Sequence, residues 1–251
     1  EQWNAMQRSF HIIIFLALFG QVLFPLTLYI GLQYTSSLNA AIYLSTTPAL
    51  VLLINKTIFK EKITIQNIAG VIISSFGVAY LVMQGDLWHL ETLKHLNRGD
   101  LWTMGSAASW AVYCAFLRIK PREVGGNAFV AVSATIGAIV LFPILIFSIA
   151  KNGIPPLAEL GHSGLVIGLL YLIIFPSWLS YLMWNKGIQA IGATRGEVFS
   201  HFIPLSGGLF SVMFLSEPLH IYHLVSALLI ICGIALCSGK SVKRAFKASV
   251  S

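Results

Sequence analysis

Slid against itself by 156 positions with no gap, the sequence sets Gly31 on Gly187, Gln33 on Gln189, Pro48 on Pro204, Glu61 on Glu217, Ile65 on Ile221 and Gly77 on Gly233. The stretch 31–82 therefore occurs again as 187–238. The identities are sparse, yet they fall on a Pro inside an apolar run, a Glu at its end and a Gly near the close of the next run. Each marks a boundary or a backbone feature, and all share one register. An internal repeat constrains the architecture before any local reading does.

The repeated stretch belongs to a chain built from long apolar runs. Eight can be counted, at about 11–33, 36–59, 65–84, 101–118, 128–150, 163–184, 194–215 and 222–239, each near the twenty residues that carry a helix across a bilayer. Only 10% of the residues are charged and 57% are hydrophobic, where a soluble domain carries about a quarter charged residues. The chain is a polytopic membrane protein. Its net charge of +7 does not point to nucleic acid, because the basic residues sit between the runs. Cys114, Cys232 and Cys237 lie inside runs with no disulfide or metal spacing, so no metal or cofactor is expected. Thr64 and Asn127 are expected N-caps. Gly70/Ser74, Gly105/Ser109, Ser133/Gly137 and Gly207/Ser211 put small residues four apart, where helix backbones approach closely in lipid.

Lys and Arg set the orientation. With eight spans, one side holds Arg8, Lys56, Lys60, Lys62, Arg118, Lys120, Arg122, Lys186, Arg195, Lys240, Lys243, Arg244 and Lys247, and the other holds Lys94, Arg98 and Lys151. This bias places both termini in the cytoplasm. The run at 11–33 corresponds to the one at 163–184, five spans later, so equivalent helices cross in opposite directions. That is an inverted-topology repeat, a recurring plan of secondary transporters. The second copy holds five helices and the first holds three. The expected fold is therefore an all-α polytopic membrane protein, an inverted-repeat helical bundle with eight transmembrane helices present of ten (five plus five). On this reading the chain is a fragment, or a short relative, lacking two helices before Glu1. The layout is 1–84 for the first repeat, 85–100 for an inter-repeat loop, 101–239 for the second repeat and 240–251 for a basic cytoplasmic tail.

Gly31-Leu-Gln-Tyr-Thr-Ser-Ser, the intramembrane Pro48, Lys60-Glu61-Lys62-Ile63-Thr64 and Gly70…Gly77 resemble the EamA-type unit of the drug/metabolite transporter superfamily. So do Ser109-Trp110-Ala111-Val112-Tyr113, Tyr181 to Gly187, Gly192-Ala-Thr-Arg195, Pro204 and Ser216-Glu217-Pro218-Leu219. The resemblance implies ten helices in two inverted halves, cytoplasmic termini, residence in a bacterial inner membrane, and export or import of small metabolites such as amino acids, sugars and nucleotide conjugates.

Such a transporter needs a polar cavity near the midplane. Glu197 and His201, four apart, share a helix face. Glu197 is either a proton-coupling or substrate-amine carboxylate, or an interfacial acid paired with Arg195 or Lys186; His201 is either its neighbour in the cavity or a hydrogen-bonded bundle residue. Asn39 and Tyr43 form another such pair, beside Ser45, Thr46 and Thr47. Trp110 and Tyr113, and Tyr181 with Trp184 and Asn185, are cavity-wall candidates or membrane-interface anchors. If several line one cavity, the substrate is amphipathic or aromatic. Pro48 and Pro204 each remove a helix hydrogen bond and free the carbonyls of Leu44 and Ser200, as hinges or as tolerated kinks. Glu61 and Glu217 read as loop-side carboxylates, on opposite membrane faces. A membrane-embedded enzyme is disfavoured, since no nucleophile, base or metal motif is present. The expected partners are a small-molecule substrate, the bilayer and coupling protons, with no nucleic acid. The expected function is secondary transport of small organic metabolites by alternating access, with export favoured. The alternative is a non-transporting membrane protein.

Overall fold

A computed structural model of the chain describes residues 2–86, 97–153, 163–214 and 218–249. The described residues are helical apart from the connections between elements. Gln2–Arg8 (α1) precedes a long rod in which Phe10–Ala17 (α2) passes through a π-helical stretch, Leu18–Leu23, into Phe24–Leu32 (α3). Ser37–Leu44 (α4) and Thr47–Thr57 (α5) follow, then Ile65–Val82 (α6), Arg98–Phe116 (α7) and Gly126–Asn152 (α8). A second rod joins Ser163–Leu172 (α9), a π-helical stretch at Ile173–Leu179 and Ser180–Ile191 (α10). The chain closes with Ala193–Gly196 (α11), a 3₁₀ turn at Glu197–His201, Phe202–Phe214 (α12) and Ile221–Ser249 (α13).

Six helical stretches among the described residues are long and apolar enough to cross a membrane: Phe10–Leu32, Ile65–Val82, Gly126–Asn152, Gly164–Ile191, Ala193–Phe214 and Ile221–Ser238. Eight were expected, and the other two runs differ from these six. The run at 36–59 is two short helices, because α4 ends at Leu44 and α5 begins at Thr47. The run at 101–118 is one helix, but it carries Arg98, Asp100, Thr103, Ser106 and Ser109 and is less apolar than the others. The inter-repeat loop expected at 85–100 lies outside the described residues over 87–96, as do Ser216 and Glu217; the side chains of the tail expected at 240–251 are likewise outside the description.

Local sequence explains the helix boundaries. Thr64 caps α6 as expected, its hydroxyl accepting from the Asn67 amide at 3.2 Å, while the Asn67 side chain returns to the Thr64 backbone. This reciprocal box satisfies two otherwise unpaired donors. Asn97 and Asp100 make the same box on α7. The start of α8 differs from expectation: Gly125 is the capping residue and Asn127 lies inside the helix. Prolines 48 and 204 do not bend continuous helices. Each follows an interruption and sits in the first turn of the next segment, where a missing N–H costs little. The Leu44 carbonyl ahead of Pro48 accepts from the Thr47 hydroxyl at 2.6 Å.

Two helix pairs touch backbone to backbone. On α6 and α13, a Cβ built on Gly70 would lie 2.6 Å from the Gly233 carbonyl, and one on Gly233 would lie 2.6 Å from the Ser74 amide. Gly77 meets Ile230, and Asn67 donates to the Cys237 carbonyl. Contact numbers rise on one helix as they fall on the other, so α6 and α13 are antiparallel. On α3 and α7, Gly31 and Gly99 face each other with equally little room. Of the small-residue pairs, Gly70/Ser74 forms such a contact and Gly137 lies against Gln21, while Gly105 and Gly207 face open space. Between these pairs the interior is apolar, with Ile13, Leu16, Val51, Ala111, Tyr113 and Phe129 in one cluster and Val71, Val78, Val198 and Ile230 in another. The second rod presents apolar side chains outward almost throughout, as at Ile167, Tyr171 and Ile173, as a surface facing lipid does. The Lys120 ammonium turns inward to the Pro121 and Val124 carbonyls. Burial pulls it below the usual lysine range, against the opposing effect of Glu123.

Candidate functional site

The two interruptions and the two π-helical stretches converge. A cavity of about 460 Å³ lies among them, lined by Ala41, Leu44, Ser45 and Thr47 from α4–α5, Val78 from α6, and Phe24 at the start of α3. The remaining walls are Trp110 from α7, Pro176, Ser180, Tyr181 and Trp184 from the second rod, and Glu197, Ser200, His201, Ile203 and Pro204 from the segment after α11. Irregular helix at such a place is a physical cue, since π-turns and broken helices redirect side chains that a regular helix would leave pointing elsewhere.

Trp110 is the centre of an aromatic wall. Its ring lies 4.6 Å from Phe24, 5.3 Å from Tyr113, 5.7 Å from Tyr181 and 6.0 Å from Trp184. Every N–H or O–H on that wall is committed inside the protein. Trp110 donates to Glu197 Oε1 at 3.1 Å, Trp184 to Cys114 Sγ at 3.3 Å, Tyr181 to the Gly20 carbonyl, and Tyr113 to Asn185 Oδ1 at 2.7 Å.

Glu197 is 0% exposed and His201 is 1% exposed. The Cys114 thiol and Ser200 hydroxyl stand beside the Glu197 carboxyl, yet Oε2 has no partner at hydrogen-bonding geometry. His201 Nε2 lies 3.1 Å from the Ser45 carbonyl oxygen. A carbonyl only accepts, so Nε2 carries the hydrogen, and the neutral ring then offers Nδ1 as an acceptor. Nδ1 is also unpartnered.

Of the residues expected from sequence, Trp110, Tyr181, Trp184, Glu197, His201 and Pro204 line this cavity. Tyr113 and Asn185 stand behind the aromatic wall and pair with each other. Asn39 lies at the α3–α4 corner, donating to the Thr35 hydroxyl at 3.3 Å, which itself donates to Asp100 at 2.6 Å. Tyr43 is on the same side, within the field of Asp100. Thr46 is exposed and bonds back to the Tyr43 carbonyl, and Pro48 is buried in the first turn of α5 away from the lining. The pairing of Glu197 with Arg195 or Lys186 at a membrane surface is replaced by burial against Trp110. The reason is that α10 runs on to Ile191 and the chain turns at Gly192, whose φ is +84°. Phe24, Pro176, Ser180 and Ser200 were missed; Phe24-Pro25 and Pro176 inside apolar runs were the available signals.

Beyond the cavity, two groups of contacts lie toward opposite ends of the helices. Toward the Lys- and Arg-rich end, Asn55 donates to the Thr194 hydroxyl at 2.7 Å and accepts from Arg118 at 3.1 Å. Arg118 also reaches Glu61 at 2.7 Å and packs over the Phe59 ring at 4.4 Å. Toward the other end lie the Gly31–Gly99 contact and the Thr35–Asp100 bond.

The EamA-like transporter family model matches residues 1–83 and 97–239. The chain is 27% identical over 229 residues to the uncharacterized transporter YyaM of Bacillus subtilis, covering 90% of this chain and 72% of that protein. It is 27% identical over 239 residues to an uncharacterized transporter of Archaeoglobus fulgidus, covering 93% and 78%. A crystal structure 17% identical in sequence superposes with a TM-score of 0.72, over 96% of this chain and 80% of that one; at that identity it speaks for the fold alone. With the matched model spanning nearly all of an apolar helical bundle, the chain is an integral membrane protein that belongs to the EamA-like transporter family, a family of transporters rather than enzymes.

Proposed function

We propose that the chain forms the cavity-bearing core of a secondary transporter that moves small organic metabolites, such as amino acids or amphipathic and aromatic compounds, by alternating access. The observation that carries this reading is the cavity itself, whose walls come from 24–78 on one side and 110–204 on the other. On this reading α4–α5 and α7 also cross the bilayer, giving eight crossings of a ten-helix plan, with both termini cytoplasmic in a bacterial inner membrane. The antiparallel packing of α6 on α13 and the π-helical stretches at 18–23 and 173–179 support two inverted copies. Those stretches fall within one residue of each other at the repeat offset of 156. Glu197 is the proton-coupling carboxyl: a buried carboxylate needs a compensating positive charge, which either a proton or the cargo supplies. Export is the favoured direction.

The test is flux in proteoliposomes carrying the full-length protein, over a panel of labelled amino acids, amines and aromatic acids, with and without a proton gradient. Saturable flux is expected, reduced about tenfold or more in Glu197→Gln, within the range attached to removing a transferring acid or base. No flux for any compound would favour a non-transporting membrane protein. Flux unchanged in Glu197→Gln would remove the carboxyl from the mechanism.

A further inference from the structure

The buried polar atoms of the cavity lining that lack partners are of one kind. The aromatic N–H and O–H donors are all spent within the protein, and the hydroxyls of Ser45 and Thr47 donate to the Ile42 and Leu44 carbonyls. The atoms without partners are acceptors, Glu197 Oε2 and His201 Nδ1, both on side chains at least 99% buried. A buried acceptor left unpaired loses the bonds it made to water, so a bound molecule that brings donors recovers that loss. No Lys or Arg is among the lining residues. The carboxyl thus has no built-in counter-cation in the cavity, and a ligand carboxylate would meet none either.

The electrostatic character of the walls agrees. The rings of Trp110, Trp184, Tyr181 and Phe24 border the same space, and an ammonium within about 6 Å of such a ring is attracted to its face. The rest of the lining, including Leu44, Val78 and Ile203, is apolar. A volume of about 460 Å³ falls in the range of small-molecule sites.

Resting on the transporter reading above, we propose that the cavity takes a primary ammonium carried on an aromatic or apolar body. Its N–H groups bind Glu197 Oε2 with His201 Nδ1 as a further acceptor, and its charge faces the Trp110–Trp184 wall. The site discriminates against free amino acids and organic acids, because their carboxylate meets no Lys or Arg in the lining, only the hydroxyls of Ser180 and Ser200 beside the carboxyl of Glu197. It also prefers a primary amine to a quaternary one, which carries the charge but no N–H.

The experiment titrates the full-length protein in lipid nanodiscs with 2-phenylethylamine, its N,N,N-trimethyl derivative, phenylalanine and phenylacetate, following tryptophan fluorescence, with parallel flux in proteoliposomes. Expected is the order phenylethylamine, then the trimethyl compound, then phenylalanine, with a gap of about tenfold or more between the amine and the amino acid and no saturable signal for phenylacetate. Glu197→Gln is expected to weaken the amine about tenfold or more, and Glu197→Asp less. Should Glu197→Gln fail to give monodisperse protein, the order in the unmodified protein decides alone. Phenylalanine or phenylacetate binding as tightly as the amine, with saturable flux, would overturn the ammonium assignment and leave the transporter reading standing. Silence from all four in binding, together with no flux of any panel compound, would overturn both.

Discussion

The contacts beyond the cavity toward its two ends differ in kind. Toward one end, Gly31 and Gly99 bring the backbones of α3 and α7 into direct contact, with the Gly99 Cβ position only 2.6 Å from the Gly31 carbonyl. Toward the other, Asn55, Thr194, Arg118 and Glu61 join the ends of α5, α7 and α11 through side chains, while the backbone contact of Gly70 with Gly233 holds a different pair, α6 on α13. The difference has a mechanical meaning. A backbone seam separates only if whole helices move, whereas a side-chain latch opens by changing rotamers and trading its bonds for water. On the alternating-access reading, the contacts among α5, α7 and α11 toward the Lys- and Arg-rich end are therefore the ones that part at lower cost.

The largest expected effect comes from attacking the seam. Gly99→Leu forces a side chain into backbone, an overpacking cost of about 1–3 kcal/mol or more, read as a fall of about 4–10 °C in melting temperature by fluorescence-detected size exclusion. Unchanged melting would mean that the two ends are equally pliable. Next is the buried member of the latch. Asn55→Ala strands the Thr194 and Arg118 groups, at about 1–3 kcal/mol. It should also speed alkylation of Cys114, which is buried beside Glu197, by a polar maleimide in a background with Cys232 and Cys237 replaced by Ser. Smallest in stability is Arg118→Ala or Glu61→Gln. Their ion pair is about a third exposed and contributes at most about 1 kcal/mol, yet labelling of Cys114 should still rise. Thr35→Val, at the seam, should leave labelling unchanged. A rise there comparable to that in Asn55→Ala would reverse the assignment of the two ends.

The comparison also marks what was legible in the sequence. Run length and hydropathy gave the helices, and the offset of 156 gave the pairing of Pro48 with Pro204. Glu197 and His201 stood out because ionisable groups in apolar runs are costly. The place of Glu197 about one turn inside a span agrees with the helical stretch Ala193–Phe214, but its burial against Trp110 depends on packing that hydropathy does not report. Asn39, Tyr43, Tyr113 and Asn185 show the limit of helical spacing: it assigns two residues to a face and leaves open whether the face meets a cavity, another helix or a capping cluster. The π-helical stretches were invisible for a related reason. An extra residue in a helical turn depends on packing, and only Pro176 within its run hinted at one. Span count suffered where polarity and function coincide, as α4–α5 and α7 carry the broken backbone and the buried polar groups that lower their hydropathy.

The His201–Ser45 contact joins positions separated by 156 residues, the same interval that superposes one copy on the other. Each residue is thus the other's counterpart. If the two copies trade shapes during a transport cycle, every contact between unlike positions becomes a different contact, but one between counterparts is carried onto itself. The Ser45–His201 pair then stays together through the exchange, an axle about which the walls can turn, while the link within it changes hands, its image running from the Ser45 side chain to the His201 carbonyl.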